Sequence, residues 1–237
     1  LMELEALTKE DPQPISREVS DEVRNFHGIC AEDISFSYDR DVILKNASFK
    51  LPRGAFAVVT GPSGIGKSTL LKVLTKQIND YDGVVCLHGR ELKEISSCEL
   101  FKTCGIIPQN AEIFEDTILN NITLGMPIDQ QRLLDALKFA GLPEDRLHEK
   151  VTENCSNFSG GELQRIILAR MFYNPKQIYL LDEVVSGLQY ELAKYIENSI
   201  LDSFESTIIN VSHRTDTPTM QKYDAVINMN LDNSVHM

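Results

Sequence analysis

Ala55-Phe56-Ala57-Val58-Val59-Thr60, running into Gly61-Pro62-Ser63-Gly64-Ile65-Gly66-Lys67-Ser68-Thr69, is a short apolar stretch with β-branched residues that breaks into a glycine-rich turn. Apolar residues then return at Leu70, Leu71, Leu74 and Ile78, the spacing of one helix face, so the segment reads strand, loop, helix. The loop has the form G-x-x-x-x-G-K-[ST] in the context that pattern requires. Gly61, Gly64 and Gly66 let the backbone bend around an anion with its N–H groups inward. The helix that starts there adds the positive end of its dipole. Lys67 supplies a full charge for β- and γ-phosphates, and Ser68 offers a hydroxyl to Mg²⁺. A nucleotide site is the expectation.

Outward from this loop the texture is strands alternating with helices. Ile34 to Tyr38 and Ala47 to Leu51 alternate as half-exposed strands, and Pro52-Arg53-Gly54 turns the chain into the apolar run. Helices are predicted from Asp129 to Ala140, stopped by Gly141 and Pro143, and from about Gly161 to Tyr173. A strand at Ile178 to Leu181, a helix carrying Leu188, Leu192, Ile196 and Ile200, and a strand at Thr207 to Val211 follow. That alternation predicts an α/β fold with a mostly parallel sheet flanked by helices. Residues 1–24 differ. Leu1, Leu4 and Leu7 suit the last turns of a helix, Pro12 and Pro14 end it, and acids outnumber bases, so this stretch reads as a linker or tail. The first residue, Leu1, suits a piece cut from a longer protein.

At 237 residues the chain is long enough for a real core. Its net charge of −12 and lack of a Lys/Arg cluster argue against nucleic acid as a partner. Apolar runs such as Phe56 to Val59 and Ile166 to Ala169 fall far short of the ~20 residues a spanning helix needs. The 5 cysteines (Cys30, Cys86, Cys98, Cys104, Cys155) lack CxxC spacing, so reduced and mostly buried thiols are expected rather than disulfides or zinc.

Two more stretches carry chemistry. Ile178-Tyr179-Leu180-Leu181-Asp182-Glu183 is an apolar strand ending in two acids; a carboxylate at the carboxyl end of a parallel strand sits where it can hold Mg²⁺, and the next can polarise water. Phe158-Ser159-Gly160-Gly161-Glu162 places a serine and two glycines before a helix, which reads either as a capped helix start or as a second anion site. With these three in order, residues 28 to 230 resemble the nucleotide-binding domain of ABC transporters, whose signature is usually Leu-Ser-Gly-Gly-Gln. Tyr38, Gln109 after Ile106-Ile107-Pro108, Ser186-Gly187-Leu188-Gln189, and His213 in Val211-Ser212-His213-Arg214 fall in the order of further family elements.

The resemblance implies a phosphate-loop ATPase core over residues 25–237, with an antiparallel β subdomain and an inserted helical subdomain at about 110–172. It implies ATP and Mg²⁺ as ligands and a second such domain as partner, the two pairing head to tail. One subunit would supply Tyr38 for adenine, Gly61 to Thr69 for phosphates, and Ser68, Gln109 and Asp182 for Mg²⁺. Glu183 would be the general base, with Lys67 and His213 at the γ-phosphate; the other subunit would add Ser159, Gly160, Gly161 and Glu162. Val151-Thr152-Glu153-Asn154 and Phe114 to Ile122 are similar to exporter-type members. Membrane domains on the same full-length chain, and a place at the cytoplasmic face of the membrane for this soluble part, are therefore implied. Phe158 for Leu, Glu162 for Gln, Val184-Val185 for Pro-Thr and Gln189 for Asp depart from the family pattern. The expected consequences are weaker contacts across the dimer at Glu162 and altered communication between sites at Gln189. A nucleotide-gated regulatory module with weak turnover is the alternative.

Overall fold

The computed structural model describes residues 20–108, 111–185, 188–203, 205–212, 220–230 and 235–236. Gln109, Ser186, Gly187, His213, Arg214 and the stretch 1–19 lie outside the described residues. Chain order is α1 (Asp21–Arg24), β1 (Gly28–Tyr38), β2 (Asp41–Pro52), β3 (Phe56–Thr60), α2 (Lys67–Leu74), β4 (Asp82–Leu87), β5 (Arg90–Glu91), α3 (Ser97–Thr103) and β6 (Cys104–Ile107). There follow α4 (Ile118–Thr123), α5 (Gln130–Ala140), α6 (Gly160–Tyr173), β7 (Ile178–Asp182), α7 (Tyr190–Ser203), β8 (Thr207–Val211), β9 (Ala225–Met229) and β10 (Val235–His236).

Two sheets form. One has the order β2-β1-β4-β5 and is antiparallel; the other has the order β10-β9-β3-β8-β7-β6 and is parallel except where β10 meets β9. This is the expected α/β core with an antiparallel β subdomain, and α4, α5 and α6 supply the helical layer between β6 and β7. Strand β3 lies between β8 and β9, so the phosphate loop leaves the carboxyl edge of a central strand. All of β8 and residues 178–181 of β7 are buried, as strands covered on both faces must be. One hydrophobic core joins the two sheets through α2; a second packs Leu133, Leu137, Ile166 and Met171 under β7.

Two local expectations shift. Helix α2 stops at Leu74 rather than reaching Ile78, because Lys76 turns left-handed at φ 59° and the N–H groups of Gln77 and Ile78 both donate back to the Lys72 carbonyl. Ile78 still packs against the core, which is why its spacing looked helical. The tail read as running to residue 24 gives way earlier: Asp21–Arg24 form α1, and Val23 is buried with Cys30, Val84 and Cys86. All five thiols are free, with Cys30, Cys86 and Cys104 buried, Cys155 half-buried and Cys98 exposed.

Candidate functional site

Helix α2 begins without the usual side-chain cap. Its N-cap, Gly66, has φ 104° and makes no capping bond, so the first N–H groups of the helix are left to a ligand. A Cβ at Gly66 would come within 2.7 Å of Ile43 Cγ2, and one at Gly61 within 2.5 Å of the Met229 carbonyl, so both places require glycine. Around this turn lies a cavity of about 360 Å³ lined by Tyr38, Ile43, Ser63, Gly64, Gly66, Lys67, Ser68, Thr69 and Glu183. Ile65 points the other way, into the core.

The lysine is held in place. Lys67 is 6% exposed, and its Nζ donates to the carbonyls of Gly61 and Pro62, 2.9 Å each. Burial pulls its pKa down, while the carboxylates of Glu183 and Asp182 push it back up. Strand β7 therefore delivers both acids beside the loop, as the apolar run ending in Asp-Glu predicts. Glu183 carries φ 54°, a left-handed conformation rare for a non-glycine residue, with its N–H donating to the Val211 carbonyl. Strain of this sort collects at sites that need one side chain aimed in one direction.

The site fits an anion with a small hard cation. Ser68 and the β7 carboxylates are oxygen donors, and no cluster of three His, Cys, Asp or Glu side chains able to hold a metal occurs among the described residues. Mg²⁺ sites in general use few protein ligands, with substrate phosphates completing the shell. Tyr38 forms the other wall, half-exposed, and packs edge-on against Phe36 with ring centroids 4.7 Å apart. Ile43 was not read from the sequence: β2 brings it to the cavity across the hairpin, and an isolated isoleucine in an alternating strand carries no signal.

The Ser159-Gly160-Gly161-Glu162 stretch is elsewhere. It starts α6 and does not line the cavity. Ser159 is the N-cap, and a capping box closes on it: Glu162 N–H donates to Ser159 Oγ, and Ser159 N–H donates to Glu162 Oε2. The second carboxylate oxygen of Glu162 accepts from Arg146, so its pKa falls to about 2, chiefly through that arginine. Phe158 is buried beneath this turn. The residues after the acid pair, Val184 and Val185, are buried in the second core, and Gln189 is exposed just before α7. Glu153 opens a 3-10 turn, Glu153–Cys155, on the surface, and Phe114 is exposed on the same helical layer.

With the geometry in hand, the comparisons agree. The profile of the family described as ABC transporter matches residues 44–186. The chain is 29% identical over 198 residues to an ATP-dependent lipid A-core flippase of Francisella novicida, covering 80% of this chain and 33% of that protein. It is 33% identical over 223 residues to the mitochondrial iron-sulfur clusters transporter atm1 of Aspergillus fumigatus, covering 88% of this chain and 29% of that one. A bacterial Atm1-family ABC exporter solved with ATP bound superposes with a TM-score of 0.79 at 27% identity, over 90% of this chain and 39% of the other. The chain thus spans about a third of the length of these curated relatives. Among the described residues no helix is long and apolar enough to cross a membrane.

Proposed function

The chain belongs to the ABC transporter family, and we propose that it is the ATP-binding and ATP-hydrolysing motor of an exporter. The observation that carries this reading is the cavity in which Lys67, Ser68 and Glu183 face one another at the uncapped start of α2. Relatives named as a flippase and as an iron-sulfur cluster transporter support the exporter side of it.

In the proposed cycle Tyr38 stacks on adenine and the backbone N–H groups of the phosphate loop hold the phosphates. Lys67 exchanges its two backbone carbonyl partners for phosphate oxygens, offsetting the charge that develops during transfer. Ser68 and Asp182, with Gln109, would hold Mg²⁺, which would neutralise phosphate charge. Glu183 orients the attacking water and takes its proton. His213 holds the γ-phosphate. Ser159, Gly160, Gly161 and Glu162 serve a second copy or a related domain, pairing head to tail, so that ATP joins the two and hydrolysis releases them. Membrane domains, on the same full-length chain beyond a tail near residues 1–24, would convert that closing into substrate movement at the cytoplasmic face. The family domain proper would occupy residues 25–237. With a net charge of −12, nucleic acid is not a proposed partner.

ATP turnover measured against protein concentration tests this. Specific activity should rise with concentration and fall by about 10²–10⁴-fold in Glu183→Gln while ATP binding persists. The second reading, a regulatory module that binds ATP and scarcely turns it over, is favoured by Gln189 where the family pattern has Asp. Tight binding without turnover at any concentration would select it. Turnover and cooperativity both unchanged in Gln189→Asp would remove Gln189 as its support.

A further inference from the structure

Glu162 is a peculiar residue for the place proposed for it. A carboxylate in the first turn of α6 suits the helix dipole, yet it would repel the phosphates of a nucleotide approaching the same turn. The surroundings answer that charge. Arg146, at the end of a 3-10 turn Glu144–Arg146, donates from Nη1 to Glu162 Oε1 at 2.5 Å and from Nε to Glu149 Oε2 at 2.6 Å. Its guanidinium also lies over the Phe158 ring, 5.0 Å from the centroid. All three charged side chains are roughly a third exposed, so the pairs are reinforced by geometry rather than by a dry interior.

The remaining oxygen, Glu162 Oε2, accepts from both the N–H and the hydroxyl of Ser159, 2.8 Å each. Ser159 has one hydroxyl proton. A phosphate can accept the hydrogen bond of that hydroxyl only if the Ser159 O–H turns away from Glu162. An unpaired carboxylate would hold the serine more tightly and repel the phosphate, and Arg146 opposes both effects at once. The segment after Arg146 is itself fixed, since Ile118 N–H donates to the Glu149 carbonyl and Val151 N–H to the Asp116 carbonyl. The arginine therefore has a rigid base.

Resting on the nucleotide-sandwich reading above, we infer that Arg146 is a positioning residue for the start of α6, which, shared with Glu149, offsets the Glu162 charge in part and frees Ser159 to meet the phosphate of the opposing subunit's ATP. Glu162 is on this account a compensated substitution and does not by itself weaken the contact across the dimer. No motif in the sequence marks Arg146; the link to Glu162 exists only once the 3-10 turn is folded against α6.

The test is ATP-dependent self-association of the 237-residue chain, measured by sedimentation with ATP and Mg²⁺ in a Glu183→Gln background. Arg146→Met should weaken association about tenfold. When Glu162→Gln is already present, the same substitution should change it by no more than about twofold, because no charge is left to cancel. Thermal unfolding of each variant without nucleotide identifies any loss that is merely structural. Equal weakening in both backgrounds, or none in either, overturns the inference while leaving the ATP-driven dimer intact. No ATP-dependent association in the parent removes the function proposed above, and this inference with it.

Discussion

Two helices of this chain have glycines at their start, α2 just before its first residue and α6 within its first turn, and they begin in opposite ways. At α2 the N-cap is a glycine with no capping bond, the first turn holds no acid, and Lys67 adds positive charge. At α6 the N-cap is Ser159 in a closed capping box, and the first turn holds Glu162. The first end is left open to an anion; the second has satisfied itself within the chain. The difference teaches that glycine content alone does not define a phosphate site. What counts is whether the orphan N–H groups already have partners, and at what cost those partners can be exchanged.

The largest break in that contrast comes from adding one methyl group to each turn. At Gly66 the added Cβ meets Ile43 and the residue sits at φ 104°, so Gly66→Ala strains the loop as well as filling it. The expected cost is ~2 kcal/mol in unfolding free energy, with ATP affinity lowered at least about tenfold. Chemical denaturation and equilibrium nucleotide binding would read the two numbers. A variant that melted and bound like wild type would mean the turn is not held as described.

Gly160 is the counterpart. A Cβ there would meet nothing within 4 Å, and the residue lies in regular helix. Gly160→Ala, at the first helical position rather than in the interior, should therefore raise the stability of the isolated chain by up to about 0.5 kcal/mol. On the head-to-tail pairing proposed above, the same methyl should weaken ATP-dependent association, because it would occupy the face offered to the opposing subunit. Stability and association moving in opposite directions would separate this glycine from a purely structural one. If both rise, α6 is only a capped helix.

The phosphate loop was legible because all its parts are consecutive in the chain. Its strand, turn and helix obey local rules, and the acids of β7 announce themselves through the apolar run before them. Parts assembled across the fold were not legible. Ile43 reaches the cavity through β2, and Arg146 reaches Glu162 from sixteen residues upstream by way of a 3-10 turn. The left-handed φ of Glu183 also has no sequence mark, since nothing local asks a glutamate to adopt it. Strands β4, β6 and β9 went unread because each is flanked by residues that also suit loops. Misjudging the end of α2 had a different cause: Ile78 keeps an apolar contact that outlives the helix, so periodicity reported burial rather than backbone.

The smallest expected effect sharpens the contrast through pH. The Glu162 carboxyl is held near 2, below its ordinary 4.5, first by Arg146 and then by Ser159. A carboxyl held low stabilises the fold fully above its unfolded value and loses that contribution as pH falls through the folded one. The window is therefore about pH 4.5 down to about 2. Wild type should melt about 2 °C above Glu162→Gln at neutral pH, and the gap should close across this window. No acid occupies the first turn of α2, so the Gly66→Ala deficit should keep its size over the same range, apart from the general acid destabilisation common to all variants. A Glu162→Gln gap that persisted to pH 2 would mean that the carboxylate charge is not what distinguishes the two side chains. The ion pair with Arg146, which Glu149 shares, would then add nothing to the closed end of α6.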